Sequence, residues 1–178
     1  TQYLRLNDRV ELPRLYLSWP STALFGDHDA ELDIAADILA GGKSSRLYRA
    51  LLHDREIATD VSVHQASSEL SGVFSIVATA APGHTLLDIN IVVADEIHRM
   101  QSDGVTEEEL TRARNRMEAD FTWQCQSVGG FGGVSDQLNA YNVFTKTPGF
   151  FETDWNRYKY ATPGSICEAV TMLLTPET

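Results

Sequence analysis

The sequence predicts an α+β fold in which helices pack on a largely antiparallel or mixed sheet. Two observations decide this: β-rich segments recur at residues 12–19, 57–65 and 72–81, and helical periodicity fills most of the chain between and after them. A sheet of three strands offers little surface on which so many helices can pack. We therefore expect further strands before Leu12 or beyond Thr178, in a chain that is a truncated piece of a longer protein.

The strands are predicted from alternation and from β-branched content. Leu15, Leu17 and Trp19 fall on one side of the segment 12–19, so this side should face the core, and Pro20 should end the strand. The segments 57–65 and 72–81 are rich in Val, Ile and Phe, and a polar turn at 67–69 separates them. They should form an antiparallel hairpin.

Two helices are predicted between the first strand and the hairpin. From Asp27 to Leu39 the apolar residues recur at helical spacing, and Gly41-Gly42 should stop this helix. A short second helix should follow from Ser44 to about His53. Its apolar side would be formed by Leu47 and Leu51.

The later helices are predicted from their start signals. Thr85 with Asp88 and Thr106 with Glu109 have the spacing of capping boxes, so helices should run from Thr85 to about Gln101 and onward from Thr106. The apolar stripes expected to be buried are Ile89, Val93, Ile97 and Met100 on the first, and Leu110, Ala113, Met117 and Phe121 on the second. After an interruption at 129–133, the segments 134–145, 150–160 and 163–174 are predicted to be helical, the last with Thr162 as its cap.

Composition excludes several classes of protein. A formal charge of −11, from 25 acidic and 14 basic residues, argues against a nucleic-acid partner, because phosphate binding needs clustered Lys and Arg. No apolar run approaches the roughly 20 residues that span a bilayer, so no membrane partner is expected. Cys125 and Cys167 lie too far apart in sequence for a CxxC pair. Residues 1–178 should form one domain, with Trp19, Trp123 and Trp155 in its core or at an interface.

No residue set for catalysis, substrate binding or metal binding is complete. The zinc motifs HExxH and HxxEH are absent; the nearest approach begins at His28, where Leu32 stands in place of the second histidine. Asp29, Asp33 and Asp37 share one helical stripe opposite the apolar arc, which indicates a solvated acidic face rather than a cation site. The phosphate-loop pattern ending at Gly42-Lys43-Ser44 has Asp37 where glycine is required, and no GxSxG motif is present. The glycines around Phe131 indicate a flexible break between helices.

Several motifs, taken in order, resemble the pitrilysin/insulinase family of zinc metallopeptidases. Residues 39–51 (LAGGKSSRLYRAL) resemble the family's glycine-serine segment that ends in SSRLxxxL, and residues 57–62 (IATDVS) continue the match. Residues 104–115 (GVTEEELTRARN) resemble the opening of a family helix, and Ala161-Thr162-Pro163 the start of the last helix. The resemblance covers nearly the whole chain from about Leu12.

The resemblance implies a non-zinc repeat of the metallopeptidase αβ-roll. Members of the family combine homologous repeats around a chamber, and only the first repeat carries HxxEH. In many members the repeat facing the zinc supplies an Arg and a Tyr that hold the substrate backbone; here the matching positions are Leu52 and Thr59. Neither side chain can replace its counterpart, so the second repeat of a bacterial chain is indicated. The interruption at 129–133 departs from the family, whose members usually continue a helix there. The family also leads us to expect a strand after the last helix.

The expected function is therefore that of an inactive repeat in a periplasmic or secreted zinc endopeptidase. Zn²⁺ and a glutamate base would be held by the catalytic repeat, outside this chain. The partners would be the remaining domains of the same polypeptide and, in the intact enzyme, peptide substrates. A structural or assembly subunit of the same fold is the alternative, and a small-molecule binding module is a third possibility.

Overall fold

The chain folds into two layers, a three-stranded antiparallel sheet and a set of helices packed on one of its faces. A computed structural model describes residues 2–130 and 132–175. The strands are β1 (Arg14–Ser21), β2 (Ala58–Ser67) and β3 (Gly72–Ala80), in the order β1-β3-β2. The helices are α1 (Asp29–Ala40), a π-helical segment (Tyr48–Asp54), α2 (Leu86–Ser102), α3 (Glu107–Gln124), α4 (Val134–Thr145), α5 (Phe151–Tyr160) and α6 (Pro163–Leu173). The predicted α+β class is confirmed.

Strand β1 lies at an edge of the sheet and runs past Pro20, so the prediction that this proline ends the strand was wrong. Pro20 pairs with Val73 of the central strand. A proline is tolerated there because the backbone position without an N–H donor can face solvent, where no neighbouring strand needs a hydrogen bond from it. The predicted inward side is confirmed, since Leu15, Leu17 and Trp19 pack against the core.

The predicted hairpin is confirmed by the antiparallel pairing of β2 with β3. The register pairs Val63 with Ile76 and Ser67 with Gly72. A side chain at Gly72 would have no room, because a Cβ atom there would come within 2.5 Å of Ser21 Oγ on β1. The glycine therefore allows three strands to close together at the hairpin end of the sheet.

Helix α1 is buried on nearly all sides, since it lies between β2 and the helices α3, α5 and α6. It begins at Asp29, two residues later than predicted. His28 has a left-handed backbone (φ 66°) and supplies no side-chain cap. Instead, the carboxylate of Asp29 accepts a hydrogen bond from the backbone N–H of Phe25 at 3.0 Å, which holds the turn that leads into the helix.

The short helix predicted after Gly41-Gly42 is present, but it forms a π-helix from Tyr48 to Asp54 rather than an ordinary α-helix. The wider π turn brings residues four and five apart to one side. Leu47 and Leu51 are thereby fully buried while Leu52 also packs against the core. Apolar spacing alone did not distinguish the two helix types.

All three predicted helix caps are formed. Thr85, Thr106 and Thr162 each accept a hydrogen bond from the backbone N–H three residues on, and the side chain of that residue bonds back to the cap. The predicted stripe on α2 is fully confirmed as buried; on α3, Leu110 and Ala113 are buried and Met117 and Phe121 pack partly buried against the core. Local side-chain chemistry sets these helix starts, which explains why they were predictable.

Two further expectations have different outcomes. Trp19 and Trp155 pack against the core, but Trp123 is 72% exposed, so it is not a core residue. Residues 2–13 contain no strand, and a strand beyond Thr178 would lie outside the described residues. In the described part of the chain, no helix has the length and apolar content needed to cross a membrane.

Helix α4 is attached to the rest of the fold mainly through one side chain. Tyr141 is its one buried residue among those described; its ring packs against Phe25 and Phe150, and its hydroxyl donates to Asp154 at 2.8 Å. Irregular segments flank the helix. Helix α3 ends at Gln124, before the glycine-rich stretch, and Lys146 has a left-handed backbone conformation directly after α4. Phe131, within that stretch, lies outside the described residues.

We expect α4 to open locally before the domain unfolds. Tyr141→Phe removes one hydrogen bond, worth about 1 kcal/mol, and should speed amide hydrogen exchange in residues 134–145 about fivefold while leaving exchange in α1 unchanged. Tyr160→Phe, at a 68% exposed position, is the matched control and should change neither rate. Equal protection of α4 and α1 in the wild type would contradict this expectation.

Candidate functional site on the acidic face of the first helix

The acidic stripe of α1 is not the solvated face that the sequence indicated. Asp29 is only 2% exposed, and Asp33 and Asp37 are half-buried. The reason is tertiary: α3 and α5 cover the side of α1 that faces away from the sheet. The three carboxylates therefore take part in a buried polar network.

Arg157 of α5 lies at the centre of this network. Its guanidinium contacts Asp29 at 3.1 Å and Asp154 at 2.5 Å, and all three side chains are at least four-fifths buried. The guanidinium also lies over the ring of Phe25, 5.2 Å from its centre. Ser67 of β2 donates to the other oxygen of Asp29. The network thus connects the sheet, α1 and α5.

Two tyrosine hydroxyls donate to further carboxylate oxygens of the network. Tyr158 donates to Asp33 at 2.7 Å, and Tyr141 donates to Asp154 at 2.8 Å. Burial, together with the nearby charges of Asp29 and Asp154, raises the pKa of Asp33 to about 7 despite the hydrogen bond from Tyr158. Asp33 is consequently a carboxyl group that holds its proton near neutral pH.

The C-terminal end of the stripe is closed by a second ion pair. Arg116 of α3 contacts Asp37 at 3.1 Å, while burial raises the pKa of this carboxyl group. Asp37 also folds over Gly41, where a Cβ atom would lie 2.0 Å from its Oδ1 atom. The same Cβ atom would lie 2.6 Å from the backbone oxygen of Asp37, which cannot rotate away, so a side chain at the first glycine of the motif would require a backbone shift.

The network does not fit a zinc ion. Leu32, at the position of the second zinc histidine, is fully buried in the core, and His28 lies in a left-handed turn. Over residues 2–130 and 132–175, no three His, Cys, Asp or Glu side chains converge as metal ligands. The carboxylates are already engaged by Arg, Tyr and Ser donors, so the arrangement can stabilise helix packing but offers no open ligand position.

The glycine-serine segment forms a clasp between α1 and α3. Ser45 donates through its backbone and side chain to the carbonyl of Gly42, at 3.0 and 2.6 Å. Arg46 then reaches the N-terminus of α3, where it makes two bonds to the carboxylate of Glu109, at 2.7 and 2.8 Å, and a third to the carbonyl of Gly104. The sequence motif showed the resemblance but not this role.

Glu109 therefore serves both as capping-box residue and as ion-pair partner. Burial opposes its ionisation, but the hydrogen bonds from Arg46 and Thr106 outweigh this and hold its pKa at about 2. Because this pKa lies below the ordinary value of 4.5, the carboxylate stabilises the fold above about pH 4.5. The contribution is lost as the pH falls toward 2.

We expect Arg46→Met to lower the free energy of unfolding by about 2–3 kcal/mol, because it removes charge-assisted hydrogen bonds from a largely buried carboxylate. Urea titration at pH 7 measures this change. Arg112→Met is the control, since Arg112 and Glu108 form a solvent-exposed pair at 3.7 Å that should contribute under about 1 kcal/mol. Equal losses in the two variants would contradict the clasp.

The two positions that match the family's substrate-holding pair differ in burial. Leu52 packs against the core from the π-helical segment. Thr59 is exposed at a bulge in β2, and its hydroxyl donates to the carbonyl of Thr79 at 3.4 Å. Neither side chain presents a charged or phenolic donor, and the loss of the substrate-holding pair stays a prediction.

Two shallow cavities flank the network. One, of about 250 Å³, is lined by Asp37, Arg112 and Arg116, and the other, of about 380 Å³, by Glu31, Arg157 and Tyr160, among other residues. Each is lined by both charge signs, and the guanidinium groups of Arg116 and Arg157 are already paired. The expectation that this chain holds no substrate or cofactor by itself stays a prediction.

The chain is similar to parts of longer proteins. An uncharacterized zinc protease of Bacillus subtilis, YmxG, is 22% identical over 128 residues, covering 72% of this chain but 31% of the relative. The chain thus spans less than a third of that relative. A protease from Helicobacter pylori has a similar structure, with a TM-score of 0.83 and 18% identity over 95% of this chain and 40% of that one.

A structure of an inactive peptidase domain from Bordetella parapertussis is comparable in size to this chain. Its TM-score is 0.73 at 21% identity, covering 96% of this chain and 91% of that one. The family described as the peptidase M16 inactive domain matches residues 1–117, about two thirds of the sequence. These residues include β1, α1, the clasp, the hairpin and the start of α3. The chain therefore belongs to the family of peptidase M16 inactive domains.

Proposed function

We propose that this chain is the non-catalytic repeat of a zinc-dependent metalloendopeptidase, where it supports the catalytic repeat and forms part of the wall of the peptide-binding chamber. The observation that carries the proposal is membership of the inactive-domain family by a sequence without HxxEH. The zinc, its ligands and the glutamate base would belong to residues outside this chain. Zinc would supply the activated water for peptide hydrolysis there.

The buried network and the clasp support a scaffolding role. In both, the charged groups form ion pairs within the chain: Arg157 pairs with two aspartates, and Arg46 pairs with Glu109. Such groups hold helices in fixed positions and are not free to polarise a peptide carbonyl. A rigid supporting repeat is consistent with this use of charge.

The test uses the full parent polypeptide and a version from which residues 1–178 have been deleted. We expect the deleted version to keep its zinc but to cleave an unstructured fluorogenic peptide at least about tenfold more slowly, because the chamber wall is missing. Adding the separate 178-residue chain should restore part of the activity. Chelation should abolish cleavage by the full polypeptide.

Two results would overturn the proposal. If the full polypeptide binds no zinc and cleaves no peptide with zinc supplied, the chain belongs to a structural or assembly subunit. If the deletion leaves both zinc content and cleavage unchanged, the chain does not support the catalytic repeat.

A further inference from the structure

Helices α4 and α5, with the loop between them, are here called the α4–α5 unit (residues 134–160). The buried side chains of this unit are Tyr141 on α4 and Asp154 and Tyr158 on α5, and each ends in a hydroxyl or carboxyl group of the polar network. Tyr141 donates to Asp154 at 2.8 Å, and Tyr158 donates to Asp33 of α1 at 2.7 Å. No aliphatic side chain of the unit is buried in the described structure. The unit is therefore held on α1 mainly by polar contacts.

The apolar contacts of the unit are only partly buried. Phe151 and Trp155 pack against Phe121 of α3, with ring centres 5.5 and 5.3 Å apart, but Phe151 is 37% exposed. Directly after α5 the chain is fixed again, since Ala161 is 4% exposed and its carbonyl accepts a hydrogen bond from Arg114 at 2.8 Å. A segment with few buried apolar contacts between better anchored neighbours can open without unfolding of the whole domain.

The contact between the unit and α1 contains more negative than positive groups. Asp29 and Asp154 share the guanidinium of Arg157, whereas the bond that Asp33 receives comes from the neutral hydroxyl of Tyr158. Ionisation of Asp33 therefore places a third negative charge beside one positive charge in a poorly solvated place. Separation of α5 from α1 would relieve this cost, because water would then reach the carboxylate.

Other charged groups around α1 do not supply the missing positive charge. Arg116 of α3 is already paired with Asp37, and Asp120 of the same helix is negative. From β2, the polar side chains that face α1 are uncharged. In the turn before α1 and on its first turn, His28 and Glu31 line the shallow cavity beside Arg157. Histidine side chains ordinarily change charge between pH 5 and pH 8, so His28 needs a control of its own.

We propose that the α4–α5 unit is a pH-sensitive switch, which packs on α1 while Asp33 is protonated and detaches from it locally when Asp33 ionises. The released proton passes to solvent and no covalent bond changes. Opening would expose the acidic side of α1 and the ring of Phe121, which the unit covers when closed. The inference goes beyond the proposed function, because it concerns a movement within this chain that needs neither zinc nor substrate.

The direction of the pH dependence follows from proton linkage. Burial and the neighbouring carboxylates raise the pKa of Asp33 from 3.8 to about 7 in the closed form. The closed form thus holds a proton that the open form releases, so opening becomes easier as the pH rises from about 4 to about 7. Between pH 5 and pH 8 the equilibrium constant for opening should increase by roughly tenfold to a hundredfold.

The test is amide hydrogen exchange of the 178-residue chain at pH 5, 6, 7 and 8, corrected for the intrinsic exchange rate at each pH. We expect the opening constant of residues 134–160 to rise at least about tenfold over this range, and at pH 8 to exceed that of β3 at least about tenfold, because the opening is local. Asp33→Asn should remove the rise. Glu152→Gln, at an exposed position on α5, and His28→Gln are the controls and should leave the rise unchanged.

Four outcomes would overturn the inference. In the wild type these are an opening constant of residues 134–160 that does not change with pH, and one that equals the constant of β3 at every pH. Among the variants they are a rise that persists in Asp33→Asn and a rise that disappears in His28→Gln. The wild-type series decides the matter if Asp33→Asn fails to fold. Since the exchange experiment needs neither zinc nor the parent polypeptide, its failure would leave the proposed function standing, and loss of zinc-dependent cleavage in the parent would not affect the exchange result.

Discussion

Replacing Arg157 with methionine should lower the free energy of unfolding by about 3–5 kcal/mol, the largest effect that we expect from a single substitution. The guanidinium is the shared partner of Asp29 and Asp154, whose side chains are 3% and 7% exposed. Methionine fills a similar volume but leaves both carboxylates without a counter-charge in a poorly solvated place. Thermal unfolding should occur roughly 6–20 °C lower.

The controls separate charge burial from general disruption. Arg99→Met removes an exposed helix-surface partner of Glu96 and should cost under about 1 kcal/mol. Combining Arg157→Met with Asp29→Asn and Asp154→Asn should recover part of the loss, because the uncompensated charges are gone. A triple variant less stable than the single variant would show that packing of the arginine stem, rather than charge, dominates.

Asp33→Asn should remove a pH dependence from the stability of the protein. The pKa of Asp33 is about 7 in the fold and 3.8 in the reference state, so the folded protein holds a proton that the unfolded chain releases. This contribution is fully present below about pH 4 and is lost as the pH rises through about 7. At 1.36 kcal/mol per unit, the wild type should lose roughly 3–4 kcal/mol over this range through Asp33 alone.

The asparagine variant mimics the protonated carboxyl group and can still accept the hydrogen bond from Tyr158. Its stability should therefore change less between pH 4 and pH 8, and it should exceed the wild type at pH 8. Urea titrations across this range measure the difference. Asp60→Asn, at an exposed strand position, is the matched control and should leave the slope of the wild type unchanged. An identical slope in wild type and Asp33→Asn would rule out Asp33 as its source.

Much of the secondary structure was predictable because it depends on neighbours in sequence. The three capping boxes join residues three apart, and the hairpin joins strands across a four-residue turn. In such cases the hydrogen-bonding partners are set by the chain itself. The buried stripe of α2 was predictable for the same reason, since helical periodicity determines which residues share a face.

Two of the errors share one cause, which is that the interacting segment is far away in sequence. Pro20 was expected to end β1, but its tolerance depends on the strand lying at an edge. The aspartates of α1 were expected to face water, but Arg157 of α5, 128 residues away, contacts Asp29. Arg116 of α3 contacts Asp37. The spacing of aspartates along one helix does not indicate which other helices pack against them.

By itself the sequence determined the α+β class, the positions of most helices and strands, the resemblance to the metallopeptidase family and the lack of HxxEH. Only the tertiary structure decided that the acidic stripe is a buried network, that Arg46 clasps α3 and that the helices pack on one face of the sheet. The division follows from range: propensity, capping and periodicity act over a few residues, whereas burial and ion pairing depend on which distant segments the fold brings together.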